Sequence, residues 1–365
     1  MNDIKKLGFG LMRLPKSGGQ IELKETSRMV DHFLENGFTY FDTAYIYEGS
    51  EEATRKALIE RHPRENYTLA TKLFGPEAKT RKDGEEQFYT SLRRTGAEYF
   101  DYYLMHSLMN NNYKKYETLH LWDFANEMKE KGLIRHVGFS FHSGPKLLER
   151  ILRDHPEAEF VQLQINYADW ENASVQARAN YEVARKYGKP IIVMEPVKGG
   201  SLADPQQEIR KMFEAYAPDR SPASWAIRFA ASLDGILAVL SGMSNMQQML
   251  DNTSFMKEFE SLCEEEQAII REAQKIMGAS AVIPCTACRY CTKGCPMQIP
   301  IPEIFAAMNK RLGNGLIEAS REDYRAVTAN GSGAGDCISC GQCEAACPQH
   351  IKIMTRLEEC EEALA

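Results

Sequence analysis

The sequence predicts an α/β protein, a closed (β/α)8 barrel followed by a small, mainly α-helical domain. Three observations carry this expectation. Short apolar, β-rich runs alternate with longer amphipathic ones over residues 1–256. The alternation makes eight strand–helix units of about thirty residues each, the pattern of parallel strands joined by crossover helices. Near residue 280 the composition turns abruptly to cysteine and proline. Eight near-equal units close more naturally into a TIM barrel than they spread into a doubly wound open sheet.

The expected strands run over 8–14, 39–44, 68–73, 102–107, 136–140, 160–167, 190–196 and 235–243. Helical patterns fill the gaps at 24–36, 50–61, 85–96, 116–131, 145–154, 175–187, 221–232 and 245–255. Residues 257–280 read as a charged helical connector packed on the barrel. Residues 281–365 form the second domain, with a helix over 302–311 and a flexible, glycine-punctuated lead at 331–336.

Eight of the ten cysteines of this domain and its approach spell one pattern twice, C-x2-C-x2-C-x3-C-P. The first run is Cys285, Cys288, Cys291 and Cys295, followed by Pro296. The second is Cys337, Cys340, Cys343 and Cys347, followed by Pro348. This spacing suits a pair of [4Fe–4S] clusters in which the fourth cysteine of each run ligates the other cluster. Three thiolates on one tight loop cap three corners of a cubane, and a distant segment must reach the fourth. The expected ligand sets are Cys285, Cys288, Cys291 and Cys347 on one cluster, and Cys337, Cys340, Cys343 and Cys295 on the other. Zinc sites use two C-x2-C pairs rather than triple runs ending in Cys-Pro. Disulfide frameworks belong to short secreted chains. Cys263 and Cys360 read as ordinary thiols. The spacer between the runs is longer than in a compact ferredoxin, and the domain resembles the α-helical ferredoxin modules of multi-subunit redox enzymes.

The chain has 365 residues, 43% of them hydrophobic and 26% charged, with a formal net charge of -7. That length holds a full core and a second domain. The negative balance and the lack of a basic stripe speak against nucleic-acid binding. No long apolar run signals export or a membrane span, so a cytoplasmic protein is expected.

Active sites of such barrels gather at the carboxyl ends of the strands. There the sequence offers Asp42, Tyr45 and Tyr47 after the second strand, Lys72 in the third and His106 in the fourth. Together they suit carbonyl reduction. A lone phenol has a pKa of about 10 and gives up its proton poorly at neutral pH. A nearby ammonium stabilises the phenolate. Asp42 pairs with Lys72, and His106 orients the substrate oxygen. Spacing from Asp42 favours Tyr47 over Tyr45 as the phenol.

Over roughly residues 1–256 the chain resembles the aldo/keto reductases. The matches are LGFGLMRLP at the start, FDTAYIYEGSE, TK at 71–72, the His of DYYLMH, GFS at 138–140 and EPVKGG at 195–200. The resemblance implies Tyr47 as proton donor, Lys72 and Asp42 as its tuners and His106 as the carbonyl-orienting group. It also implies NAD(P)H in an extended groove. Ser140 and Gln162 would touch the nicotinamide carboxamide, Val197, Gly199 and Gly200 would lie along the pyrophosphate, and Gly242, Ser244, Gln248 and Asn252 would surround the adenosine end. Three positions depart from the family pattern. Phe141 follows Ser140 where an Asn is usual, Met194 stands for the nicotinamide-stacking Tyr, and Asn245 stands for the basic residue that grips a 2′-phosphate.

The two halves differ in electron count. A nicotinamide gives a hydride, whereas a [4Fe–4S] cluster passes single electrons, and a flavin commonly bridges the two. A flavin in the barrel mouth, direct cluster-to-substrate electron flow and exchange with an external electron-transfer protein are the three routes. The favoured expectation is an iron–sulfur oxidoreductase acting on a small-molecule carbonyl or related substrate. The alternative is an electron-transfer or redox- and oxygen-sensing protein in which the barrel is a scaffold.

Overall fold

The computed structural model describes residues 5–278, 281–329 and 331–365. Eight parallel strands close a barrel: β1 (Leu7–Gly10), β2 (Tyr40–Asp42), β3 (Thr68–Leu73), β4 (Phe100–Leu108), β5 (Ile134–Phe141), β6 (Phe160–Gln164), β7 (Ile191–Met194) and β8 (Ile236–Ser241). Each strand pairs with the next in sequence, and β8 pairs with β1 to complete the ring. Burial on both faces explains the continuous apolar runs; all nine residues of β4 are buried.

The barrel interior is filled by Tyr40, Ala70, Tyr102, Leu104, Phe160, Ile192, Ala238 and Leu240. Their side chains come from alternate positions on neighbouring strands, as layered barrel packing requires. Gly138 shows how tight the fill is. A Cβ there would lie 2.5 Å from the Phe160 carbonyl oxygen and 2.6 Å from its ring. Helix Pro145–Asp154 shows the outer layer: Leu147, Leu148, Ile151 and Leu152 form its buried stripe.

Several expected boundaries shift for local reasons. The first strand stops at Gly10, because Leu11–Arg13 turns into a 3-10 helix. The expected helix over 116–131 is two, Tyr113–Thr118 and Leu121–Glu130, broken where His120 takes a φ of 53°. The expected connector is helical only over Glu264–Gly278. Its start is fixed by Glu266, which accepts from the Cys263 amide at 2.9 Å and from both terminal nitrogens of Arg228 at 2.6 and 3.0 Å. Residues 279–280 of that connector lie outside the described ones, as do residues 1–4 of the expected barrel segment.

The chain forms two compact units. One takes the chain up to Asn172 together with Gln176–Pro196 and Ala223–Gln267. The other takes Ala173–Val175, Val197–Pro222 and Ala268–Ala365. Within the second unit, helices Ile301–Asn314, Ile317–Thr328 and Ile353–Leu364 surround a core that includes Ile304, Phe305, Tyr324, Ile353 and Leu357. Tyr324 ties this core together: its hydroxyl donates to Glu361 at 2.6 Å and accepts from the Ala334 amide at 3.0 Å.

Candidate active site and cysteine centres

At the carboxyl end of the barrel, β2, β3 and β4 deliver Asp42, Lys72 and His106, which are 4%, 1% and 3% exposed. Lys72 Nζ donates to Asp42 Oδ1 at 2.5 Å and to the Thr43 carbonyl at 2.6 Å. Gln162 Nε2 approaches the other carboxylate oxygen of Asp42 at 3.5 Å. Burial pushes the Lys72 ammonium down and the Asp42 carboxyl up from their ordinary ranges, and their mutual attraction opposes both shifts. A buried pair of this kind persists only with close geometry and further hydrogen bonds. The Thr43 carbonyl, which the sequence did not single out, supplies one of them.

Tyr47 sits in the turn between β2 and helix Ser50–Thr54, half-buried. Its ring centroid is 5.0 Å from Lys72 Nζ and 5.7 Å from the His106 ring, edge to face. Phe74 packs on the same imidazole at 5.6 Å. Tyr45 faces elsewhere, its ring lying 4.9 Å from the guanidinium carbon of Arg94. Burial, then the Lys72 charge and His142, hold the His106 imidazole well below the ordinary histidine range. His106 is therefore neutral at pH 7, able to donate a hydrogen bond from one ring nitrogen.

Ser140 and Gln162 are register partners on β5 and β6, and both are buried. Ser140 Oγ accepts from the Ser107 amide at 2.7 Å. After β8, Asn245 caps helix Met246–Met256, and Gln248 Oε1 accepts from the Ser244 amide at 2.7 Å. Asn252 is buried and donates to Ser241 Oγ at 2.7 Å. Gly242 leaves room for Arg13, whose side chain would lie 3.3 Å from an added Cβ. Val197, Gly199 and Gly200 fall in the second unit. There Gly199, at φ 65°, is pressed on the cysteine loop: an added Cβ would lie 2.6 Å from the Thr286 Cα and carbonyl oxygen.

The two cysteine runs repeat each other in backbone as well as in sequence. Ala287, Arg289 and Gln298 of the first run have φ of 52°, 63° and 54°. Ser339, Gly341 and His350, at the matching places of the second, have φ of 54°, 74° and 53°. Left-handed residues outside glycine are uncommon and cost energy unless the surroundings demand them. In the first loop the turn brings the Ala287 amide to 3.4 Å from Cys285 Sγ.

Cys295, Cys337, Cys340 and Cys343 line one pocket, floored by apolar side chains including Ile299, Ile301 and Leu357. Cys285, Cys288 and Cys347 are the thiol neighbours of Cys291. Cys295 thus lies with the second run and Cys347 with the first. Burial, followed by those neighbouring thiols, pushes the Cys291 thiol up, and burial pushes the Cys343 thiol up to about 11. Without a cationic centre these thiols stay protonated; an iron–sulfur cluster is the kind of group that takes them as thiolates. Four thiols around a small apolar cavity in one group, and four neighbouring thiols in the other, fit such clusters.

A parallel barrel that brings an Asp–Lys pair, a neutral His and a Tyr together at the carboxyl ends of its strands defines a barrel oxidoreductase. The chain belongs to the aldo/keto reductase family, whose model matches residues 6–275, and a 4Fe-4S dicluster domain follows at 284–351. It is similar to an aldo-keto reductase of Mycolicibacterium smegmatis, 27% identical over 65% of this chain and 78% of that one. An uncharacterized oxidoreductase of Bacillus subtilis is 25% identical over 68% of this chain and 86% of its own. Among solved structures, an aldo-keto reductase of Klebsiella pneumoniae in complex with NADPH superposes with a TM-score of 0.62 at 19% identity, covering 74% of this chain and 92% of that one. The protein is thus an oxidoreductase carrying an iron–sulfur domain, and no helix among the described residues is long and apolar enough to cross a membrane.

Proposed function

We propose that the protein reduces a small-molecule carbonyl with Tyr47, Lys72, Asp42 and His106, and that two [4Fe–4S] clusters on the eight run cysteines exchange single electrons with an external carrier. The observation that carries the barrel part is the buried Lys72–Asp42 bond of 2.5 Å with the Tyr47 ring 5.0 Å from the same ammonium. The carbonyl oxygen takes its proton from Tyr47 Oη. Lys72 stabilises the negative charge left on the phenol, and Asp42 with the Thr43 carbonyl holds Lys72 in place. His106, neutral, donates to the substrate oxygen and fixes its direction. NAD(P)H, when bound, supplies the hydride. Ser140 and Gln162, paired on adjacent strands beside Asp42, are the residues that would hold its nicotinamide end.

The clusters rest on the crossed grouping of the thiols and on the matching dicluster domain. They supply one-electron exchange, with an external electron carrier as the partner. The test of the barrel reading is carbonyl reduction with NADPH or NADH by wild type and Tyr47→Phe. Loss of the proton donor lowers kcat by about 10²–10⁴-fold. Equal turnover by the two proteins removes Tyr47 from the chemistry.

A further inference from the structure

A second buried carboxylate stands behind the ammonium. Glu51 is fully buried in helix Ser50–Thr54, four residues after Tyr47. Its Oε1 accepts from Thr71 Oγ1 at 2.9 Å, and Thr71 is the residue before Lys72 on β3. Its Oε2 lies 3.4 Å from Arg94 Nη1, on helix Arg81–Thr95. The same guanidinium nitrogen donates to the Tyr45 carbonyl at 3.0 Å, and the guanidinium stacks on the Tyr45 ring. From the other side, Ser50 Oγ pairs with Thr43 Oγ1 at 2.7 Å and donates to the Leu11 carbonyl at 3.0 Å.

We propose that Glu51, acting through Thr71 and Arg94, is a positioning residue that clamps the Tyr47 turn against the strand of Lys72 and adds a second negative charge on the outer side of that strand. The proposal rests on the tetrad reading above for its catalytic meaning. A charge kept out of water needs partners, and those of Glu51 are the strand of the ammonium and the cation that grips the turn. The groups facing Lys72 are Asp42 from β2, Tyr47 from the turn and His106 from β4, while Glu51 adds its charge from behind, through the neighbouring Thr71. Those facing Glu51 are Thr71, Arg94 and Ser91, with Tyr103 from β4.

Glu51→Gln keeps the shape and the acceptor for Thr71 and removes the charge. Two measurements test it. In protein labelled with 13C at lysine Cε, with the Lys72 resonance assigned by Lys72→Arg, the Lys72 titration midpoint moves down by about one unit in Glu51→Gln. This reading needs no turnover. In carbonyl reduction, the alkaline limb of the kcat profile moves down by a similar amount and kcat falls about tenfold, while KM stays within about twofold. Arg94→Gln, at a partly exposed position, serves if the first variant does not fold. It lowers kcat about fivefold at unchanged KM by freeing the turn. An unmoved Lys72 midpoint in Glu51→Gln, or an undiminished kcat in Arg94→Gln, overturns the clamp. If wild type reduces no carbonyl, the tetrad reading fails alone, and the Lys72 titration still decides whether Glu51 acts on the ammonium.

Discussion

The barrel mouth and the cysteine domain meet burial in opposite ways. In the barrel, Lys72 and Asp42 are taken out of water, and the chain itself provides the answer to each charge: Asp42 for Lys72, the Thr43 carbonyl for a second ammonium proton, Gln162 for the second carboxylate oxygen. In the cysteine domain, Cys291, Cys343 and Cys347 are buried among apolar residues, Cys291 beside Cys347 and Cys343 beside Cys337, and burial holds all three as thiols. The first centre is assembled by polypeptide alone. The second is a mould whose energetics are completed by inorganic charge.

The largest expected effect breaks the comparison outright if it fails. Stripping iron from the full chain with a chelator under anaerobic conditions is expected to abolish the ordered helical fold around the two runs and to leave the barrel intact, because metal affinity there is folding free energy. Circular dichroism with limited proteolysis reads this; a cysteine domain that stays resistant without iron shows that it is as self-sufficient as the barrel. Next in size is the buried ion pair. Asp42→Ala leaves an ammonium in a dry site and is expected to cost about 3–5 kcal/mol of barrel stability in urea unfolding. Asp42→Ala with Lys72→Met removes both charges, and the cost shrinks. A double variant as unstable as the single one means that packing, not charge, sets the loss.

The smallest effect is acid sensitivity. The native barrel holds His106 neutral, whereas the unfolded chain protonates it below about pH 6.5. Protons therefore favour the unfolded state, and stability falls as pH drops below 6.5, by up to about 1.4 kcal/mol per unit until the native imidazole itself titrates. His106→Gln is expected to flatten that part of the stability profile. An unchanged slope assigns the acid response to other groups.

Much of this was written in local patterns. The eight strands lie where apolar runs fall between amphipathic ones, and the Asp, Lys and His of the mouth are strand-end residues that periodicity exposes. The cysteine spacing is equally local. What sequence reading missed depends on distance. Helix Gln207–Tyr216 was not foreseen, and neither were Ile317–Thr328 and Ile353–Leu364, whose faces are mostly polar and whose anchors, such as Tyr324 to Glu361, span 37 residues. Arg94 reaches Glu51 across 43 positions, so neither advertises the other. The YEGSEE stretch did carry a hint: adjacent glutamates four and five residues after the phenol, the first of which the helix turns inward. The segment after β7 was read with the barrel because the sequence there continues the barrel pattern. It groups with the cysteine loops, and Gly199 lies tight against the Thr286 backbone, a contact that no pattern encodes.

The crossed placement of Cys295 and Cys347 has a consequence for how this domain can change over time. Each run keeps three thiols in its own group and lends the fourth to its twin, so neither copy is a free-standing holder of anything. A lineage could not trim the appendage to a single centre by cutting away one half. Truncation before the second run would leave Cys295 without its companions and the first group short of Cys347, so the appendage is kept or lost as one piece.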